Sequence, residues 1–160
     1  MASDMFLKLG DIKGESGDDS HKDEIEVVAW QWGIQQQGSM GSGGGGGTGK
    51  ADFADLTITH RVDKATPNLM KLCATLEHVG EATLTLRKAG KKQEEFVILK
   101  MNDVAVTGVH PSGNGSGEVP LENFTLQFAK VDFEYKPQKS DGTLDAGIHF
   151  KYDIKATKEG

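Results

Sequence analysis

Apolar and polar residues alternate along most of this chain with a period of two, which is typical of β-strands that bury one face. The segments with this pattern are 5–9, 25–34, 56–62, 82–87, 96–106, 121–135 and 148–154. In the segment 121–135 the apolar positions change parity after Phe128. A β-bulge near Ala129 and Lys130 would return the apolar side chains to one face, so we expect one there. The pattern predicts seven strands.

One stretch, 66–76, has helical periodicity instead. Its apolar residues recur on one helical face at Leu69, Leu72, Cys73 and Leu76. Thr66 is suited to cap this helix, Pro67 to occupy its first turn and Gly80 to follow its end. The chain is therefore predicted to be mainly β: a single-domain antiparallel β-barrel or two-sheet barrel with one short α-helix packed on the side.

Two glycine-rich stretches interrupt the alternation, at 38–50 and 108–120. Glycine loses more conformational freedom on ordering than any other residue, so we expect both stretches to be loops. Each lies between predicted strands, and the chain has only 160 residues. This favours one domain spanning residues 1–160 with two long loops, rather than two domains joined by a linker.

Two of the predicted strands, at 25–29 and 97–99, are apolar on both faces. A strand in the wall of a monomeric barrel buries only one face, so its outer face should be polar. One helix of about 12 residues spans only about 18 Å and cannot cover both strands. We therefore predict that the chain associates with copies of itself through a sheet face or edge.

The charge balance and the apolar content narrow the class of protein. Eighteen Lys and Arg against 24 Asp and Glu give a net charge of −6, which argues against nucleic acid as a partner. No apolar run approaches the roughly 20 residues of a membrane-spanning helix, so membrane insertion is not expected. The first residues lack a basic end followed by an apolar stretch, so we expect no cleavable secretory signal. A single cysteine, Cys73, excludes an internal disulfide.

Gly44, Gly49 and Lys50 match the spacing of a phosphate-binding P-loop. That motif needs a Ser or Thr after the lysine and a helix that begins there. This chain has Ala51 at that position, followed by a strand pattern. We therefore expect no nucleotide site.

The histidines and acidic residues show no pattern that predicts chemistry. The acidic run within 15–26 does not have calcium-loop spacing, and we expect a solvated loop there. The histidines lack paired metal-ligand spacing, and we expect each to be a surface or turn residue: His21, His60, His78, His110 and His149. No nucleophile–base or acid–base pair stands out, so we predict no catalytic, cofactor-binding or metal site and no enzyme activity.

Trp30 and Trp32 lie two residues apart, on one face of the predicted strand 25–34. Alternation with further apolar residues favours burial of both indoles. An exposed pair would instead suit a monomeric β-barrel carbohydrate-binding module, which is the alternative function. By the same alternation, Gln31 points to the opposite face.

Several sequence blocks together resemble one family. They are MFLK at 5–8, GDIKGES at 10–16, IEV at 25–27, WQWG at 30–33, DKATPNLM at 63–70, LRKAG at 86–90, YKPQK at 135–139 and DG at 141–142, with His21. In these blocks the chain resembles the haemolysin-coregulated proteins, the tube subunits of the bacterial type VI secretion system. The resemblance covers almost the whole chain, and we expect no appended toxin domain.

The resemblance implies a β-barrel subunit that forms hexameric rings, which stack into a hollow tube. It implies type VI sheath, spike and baseplate proteins as partners, and small effector proteins carried inside the ring. The subunit would be cytoplasmic before firing and then secreted without a cleavable signal. Gln31 is our candidate for the channel wall and effector contact. The candidate ring-to-ring contacts lie in the first glycine-rich loop: Ser39, Met40, Gly41, Ser42 and Gly43.

Overall fold

The computed structural model of the protein describes residues 3–36, 50–90 and 92–160. One helix forms within these residues, α1 (Thr66–Thr75). The strands are β1 (Ser3–Leu9), β2 (Ile25–Glu26), β3 (Ala29–Gln31), β4 (Ile34–Gln35), β5 (Asp52–Phe53), β6 (Leu56–Arg61), β7 (Val79–Lys88), β8 (Glu95–Ser112), β9 (Leu121–Tyr135), β10 (Ile148–Asp153) and β11 (Lys158–Glu159). The prediction of a mainly β chain with one short helix is confirmed.

Nine strands form one antiparallel sheet, and β4 and β5 form a separate small pair. The order in the large sheet is β11-β10-β9-β8-β7-β1-β2, with β6 also paired to β9 and β3 paired to β6. β8 pairs with β9 along almost its whole length. The opposite edge of β9 is shared, because β6 pairs with its first half and β10 with its second half. β9 therefore joins two halves of the sheet.

The segment 25–31 connects the two sides of this sheet. Its first part, β2, pairs with β1, and the backbone N–H of Val27 donates to Met5. The N–H of Val28 then donates to Thr59 at 2.8 Å, and β3 pairs with β6. The sheet thus wraps around the core without forming one continuous ladder, so the barrel is open.

This change of partners overturns one prediction. A single strand 25–34 with apolar residues on both faces is wrong, because the chain changes its pairing partner after Val27 and the inward side chains change from odd to even positions between Val27 and Trp30. Val27 is buried with the core, whereas Val28 is 42% exposed. The argument for self-association that rested on this segment therefore fails.

β8 and β9 both bend at the middle of the sheet. β8 changes parity between buried Met101 and buried Val104, around Asp103, which has a φ of +54°. Aspartate is one of the few residues that tolerate this left-handed conformation. β9 changes parity at the same level, between buried Phe128 and buried Val131. We call this level the kink.

The kink differs from the predicted β-bulge at Ala129 and Lys130. A bulge would insert a residue in one strand only, whereas both strands shift together and their pairing register is the same on either side. The register shift between β8 and β9 lies instead between Val106 and Gly108. The predicted return of the apolar side chains to one face is correct, but its mechanism is wrong.

The ends of α1 also differ from prediction. Ala65 is its N-cap residue and Thr66 already belongs to the first turn, where its hydroxyl accepts the N–H of Asp63 at 3.2 Å. Leu76 ends the helix in the left-handed conformation, with a φ of +52°. Thr66 is therefore not the cap, and Gly80 does not end the helix because it lies in β7.

The core is one cluster of buried side chains enclosed by the sheet and α1. From the helix it takes Leu69 and Leu72, with Cys73 packed at its border. The strand residues that are fully buried include Leu7, Leu9, Ile25, Leu56, Ile58, Leu84, Leu99, Met101, Phe124 and Leu126. β8 extends to Ser112, so the loop predicted at 108–120 covers only 113–120. In the described ranges, no helix has the length and apolar character needed to cross a bilayer.

Candidate functional site

Gln31 lies on the outward side of the sheet, opposite to the core, as its sequence position predicted. It is exposed and pairs with Thr57 of β6. Its neighbour Trp30 pairs with buried Ile58 and packs against the core. The direction of Gln31 is therefore set by the pairing of β3 with β6, while its role in a channel stays a prediction.

The outward positions around Gln31 form a surface that we call the neutral wall. It consists of two rows that cross β3, β6, β9 and β8 in register: Gln31, Thr57, Thr125 and Gly108, and then Ala29, Thr59, Asn123 and His110. These positions alternate with buried residues of the same strands. No side chain in either row has a carboxylate, ammonium or guanidinium group.

Hydroxyl and amide groups on this surface bond to one another. Thr59 Oγ1 donates to Asn123 Oδ1 at 2.6 Å, which couples β6 to β9. Thr107, at the register shift, lies 2.7 Å from the hydroxyl of Thr125 and 2.7 Å from a carboxylate oxygen of Asp55. The rows of the neutral wall are thus a preorganised array of uncharged polar groups, and the carboxylate of Asp55 lies at their border, bonded through Thr107.

The outward side of the sheet beyond the kink has a different chemistry. Two rows cross β1, β7, β8, β9 and β10 in register: Lys8, Thr83, Lys100, Asp132 and Lys151, and then Glu81, Asn102, Lys130 and Asp153. All of these except Thr83 and Asn102 are charged. We call this surface the charged wall. The ordinary alternation of apolar-inside and polar-outside thus gives two unlike surfaces on one sheet.

The core face of β9 and β10 extends past the core itself. Tyr135, Ile148 and Phe150 lie on this face and are 46%, 66% and 38% exposed. Ile148 pairs with Tyr135, which pairs with buried Val97 of β8, so the buried and exposed parts form one continuous apolar face. We call the three exposed residues the apolar edge. Uncovered apolar side chains of this kind are typical of an interaction surface.

Both tryptophans pack within the protein instead of forming an exposed platform. Trp30 packs against the core, and the ring of Trp32 lies 6.2 Å from Phe53 and 6.0 Å from Phe128 between centroids. Both indoles are half-buried, and the Nε1 of Trp32 is buried and has no hydrogen-bond partner among the described residues. The carbohydrate-binding alternative is therefore not favoured.

Arg87 of β7 holds the connection between β1 and β2 against the outside of the sheet. Its buried guanidinium donates to both carboxylate oxygens of Asp18, at 2.9 and 2.5 Å, and to Asp4 at 3.3 Å. The hydrogen bonds from Arg87 lower the pKa of Asp18 from 3.8 to about 2, and the same contacts raise the pKa of Arg87. For Asp18 the prediction of a solvated acidic loop is wrong, because Arg87 binds both of its carboxylate oxygens. The sequence pattern did not show this contact because Arg87 is 69 residues away.

His60 and Glu122 form a fully buried pair, which the sequence did not predict. His60 Nε2 lies 2.7 Å from Glu122 Oε1, and Thr66 of α1 donates to the same oxygen at 3.2 Å. Asp63 lies 3.7 Å from His60 Nδ1, too far for a hydrogen bond. Burial by itself would lower the pKa of His60, but the carboxylates of Asp63 and Glu122 outweigh burial and raise it. The pair ties β6 and β9 to the start of the helix.

His21 is the second buried histidine, and its ring connects two carboxylates. Nδ1 lies 2.9 Å from Glu24 and Nε2 lies 2.9 Å from Glu95, while the ring stacks on Phe6 with centroids 4.5 Å apart. The prediction of surface or turn histidines is wrong for His60, which is buried in β6 with a carboxylate partner from β9, whereas His21 is buried but lies in a turn as predicted. It is correct for the exposed His78, His110 and His149.

Three further features of the sequence concern metal ligands, the P-loop match and the ring-to-ring contacts. Across ranges 3–36, 50–90 and 92–160, no group of three or more His, Cys, Asp or Glu residues is placed to hold a metal ion. The glycines of the P-loop match lie outside the described residues. The candidate ring-to-ring residues also lie outside them: Ser39, Met40, Gly41, Ser42 and Gly43.

Comparison with known proteins assigns the chain to a family. A family model described as type VI secretion system effector, Hcp, matches residues 6–135. The chain belongs to the Hcp family. A relative from Pseudomonas aeruginosa, protein hcp1, is 50% identical to this Hcp chain over 157 residues, which is 97% of each.

Solved structures of other Hcp proteins show the same fold. Hcp1 from Salmonella typhimurium is 38% identical, covers 99% of each chain and has a TM-score of 0.79. A structure described as a type six secretion system protein is 30% identical, covers 99% of this chain and all of its own, and has a TM-score of 0.92. The chain is thus a member of a family of secreted type VI tube proteins.

Proposed function

We propose that this Hcp chain is the structural subunit of a type VI inner tube, and that it acts as one domain over residues 1–160. Copies assemble into hexameric rings, and the rings stack into a hollow tube. The tube is surrounded by sheath proteins, begins on a baseplate and carries a spike. The chain is cytoplasmic before export, is secreted without a cleavable signal and has no enzymatic role.

The observation that carries this proposal is the apolar edge in a chain of the Hcp family. Tyr135, Ile148 and Phe150 extend the core face to the margin of the sheet, and within the described part of the chain no element covers them. Burying such side chains against a neighbour contributes about 25 cal/mol per Å² of apolar surface. A head-to-tail contact repeated around a rotation axis closes into a ring. The apolar edge is therefore our assignment for one side of the ring contact.

Replacing Ile148 with Asp tests this assignment. A carboxylate at the centre of the contact would be buried without a partner, which is costly enough to separate the subunits. Light scattering on gel filtration should give the native protein a mass near six times 17.2 kDa and the Ile148→Asp variant a mass near 17.2 kDa.

Asn102→Asp is the matched control, since Asn102 is exposed on the charged wall. It should assemble like the native protein. A native protein that stays monomeric at all micromolar concentrations would remove the basis of the proposal. Rings that survive Ile148→Asp would leave the tube function intact but exclude the apolar edge as the contact.

Within the ring, we assign the neutral wall, including Gln31, to the channel that holds small effector proteins. Exchange of Gln31 for Arg should leave the rings intact and abolish retention of a co-expressed effector, because a long charged side chain would stand on a surface that has none. Co-purification on an effector tag measures retention. Rings that dissociate instead would place Gln31 in a subunit contact.

We propose that the first glycine-rich loop provides ring-to-ring contacts through Ser39, Met40, Gly41, Ser42 and Gly43. Glycine loses more conformational freedom than any other residue when its backbone is fixed, so a contact made through a glycine-rich sequence gains less free energy. Stacking would therefore be weak until a platform supplies the first ring. Electron microscopy of native rings and of a variant that lacks 39–43 should show fewer stacked rings in the variant.

A further inference from the structure

The absence of charge from the neutral wall contrasts with the rest of this chain. Charged residues make up 26% of the sequence, and they dominate the outward positions of the charged wall. The neutral wall crosses four strands, and none of its eight positions has a charged residue. The nearest charges of β6 lie at its borders, with Asp55 just before the strand and Arg61 at its end. The boundary of the uncharged surface thus follows the kink and the ends of β6.

The groups on this surface can bond to a polypeptide without regard to its charge. A threonine hydroxyl donates one hydrogen bond and accepts two, and an amide does both as well. The hydroxyl of Thr59 donates its hydrogen bond to Asn123 Oδ1. The lone pairs of this hydroxyl and the N–H groups of Asn123 can therefore bond to other partners. Such a set can pair with either the N–H or the C=O of a peptide group.

A surface without charged side chains also exerts little long-range force on a polypeptide near it. Charged linings in confined spaces focus the electric field, attract one sign of charge and repel the other. Hydrogen bonds between neutral groups act only at contact and contribute little net free energy each, because they replace hydrogen bonds to water. Cargo of either charge could therefore enter, bind weakly and leave.

We propose that the neutral wall binds uncharged, hydrogen-bonding stretches of polypeptide cargo and does not select cargo by charge. This inference rests on the proposed function, in which the wall faces the channel. It names the chemistry of the recognised surface, which family membership does not specify.

Three fluorescently labelled synthetic peptides of equal length test the inference on native rings. One contains only Ser, Thr, Asn and Gly, and the other two have Lys or Glu at alternate positions. Fluorescence anisotropy should show binding of the neutral peptide with a Kd that changes less than about twofold between about 0.05 M and 0.5 M NaCl. The two charged peptides should bind no more tightly than the neutral one at either salt concentration.

Charged substitutions locate the binding surface. Thr57→Lys and Asn123→Lys each put an ammonium on the neutral wall, while Thr83→Lys and Asn102→Lys are the matched exchanges on the charged wall. Each neutral-wall variant should bind the Glu peptide about tenfold more tightly at low salt than at high salt. The charged-wall variants should gain much less, because carboxylates in the same two rows of the charged wall offset the added ammonium.

Specific results would overturn the inference. The first is a charged peptide that binds native rings about tenfold more tightly at low salt than at high salt. The second is intact native rings that bind no peptide. The third is a gain in affinity for the Glu peptide that is as large in the charged-wall variants as in the neutral-wall variants. Light scattering on the same samples separates the two proposals. A native protein without rings contradicts the tube function, whereas rings that fail the peptide series contradict only this inference. If both neutral-wall variants fail to assemble, binding of the three peptides to native rings still tests whether the wall selects by charge.

Discussion

The two halves of the sheet, on either side of the kink, distribute charge in opposite ways. The half built from β3, β6 and the first part of β9 has no charge on the neutral wall and hides the pair of His60 and Glu122 in the core. The other half exposes its charges on the charged wall, uses Arg87 to hold Asp18, and leaves the apolar edge uncovered. Both halves share the long strands β8 and β9.

Under the proposed function, this difference would serve two separate demands on one small fold. A surface that must hold and release cargo is best left without fixed charge, because charge binds one class of partner strongly. A surface that meets neighbouring subunits gains from uncovered apolar area. The kink allows both, because each half of β8 and β9 turns different residues outward while the same pairing register continues.

The largest expected effect is a difference in unfolding free energy between variants of two histidines, His60 and His149, each of which lies near two carboxylates. His60 is fully buried, whereas His149 on β10 is 39% exposed and lies 2.9 Å from Asp132 and 3.1 Å from Glu134. His60→Ala should lower the free energy of unfolding by about 3 kcal/mol, because it leaves Glu122 buried without its partner. His149→Ala should lower it by less than about 0.5 kcal/mol.

Urea denaturation at one protein concentration measures both, since assembly adds to apparent stability. Glu122→Gln keeps the volume of the side chain and should also destabilise the protein strongly. If the two histidine variants lose the same unfolding free energy, burial of His60 adds nothing to its stabilising effect, and the contrast between the two halves of the sheet fails.

A smaller effect should appear when the pH is raised. The pKa of His60 is raised above 6.5 by Asp63 and Glu122, so its contribution to stability is complete below pH 6.5. The contribution is lost as the pH rises through the folded-state pKa. The difference in unfolding free energy between the native protein and His60→Gln should therefore shrink from about pH 6.5 upwards. A difference that stays constant to about pH 9 would show that the buried pair does not depend on the imidazolium.

The smallest expected effect concerns acid and the other half of the sheet. Asp18 has a pKa of about 2 against an ordinary 3.8, so its stabilising contribution is present above pH 3.8 and is lost as the pH falls through 2. Asp18→Asn should be less stable than the native protein at neutral pH, and this gap should close in that acid range. Asp19→Asn is the control, because Asp19 is exposed and makes no bond to Arg87. Circular dichroism during acid titration measures both variants.

Much of the fold could be predicted because its strands follow simple alternation. Leu56 and Ile58 of β6, and Leu84 and Leu86 of β7, are buried where their spacing placed them. The prediction failed for 25–34, because a chain that changes strand partners restarts its alternation and the sequence has no sign of that change. The candidate site was predicted only at Gln31, because Trp30 and Trp32 on either side of it pack against the core and the pairing of β3 with β6 keeps that alternation.

Sequence alone determined that this chain is mainly β, has one short helix and belongs among the Hcp proteins, because periodicity and sequence blocks are local properties. Only the tertiary structure decided which outward positions share a surface. Gln31, Thr57, Thr125 and Gly108 form one row because four strands pair in register across nearly a hundred residues of chain. Ile148 and Phe150 have the same alternation as buried strands, yet they are exposed because β10 lies where the core ends. Whether an apolar face is covered depends on what packs against it, and that is set by long-range contacts.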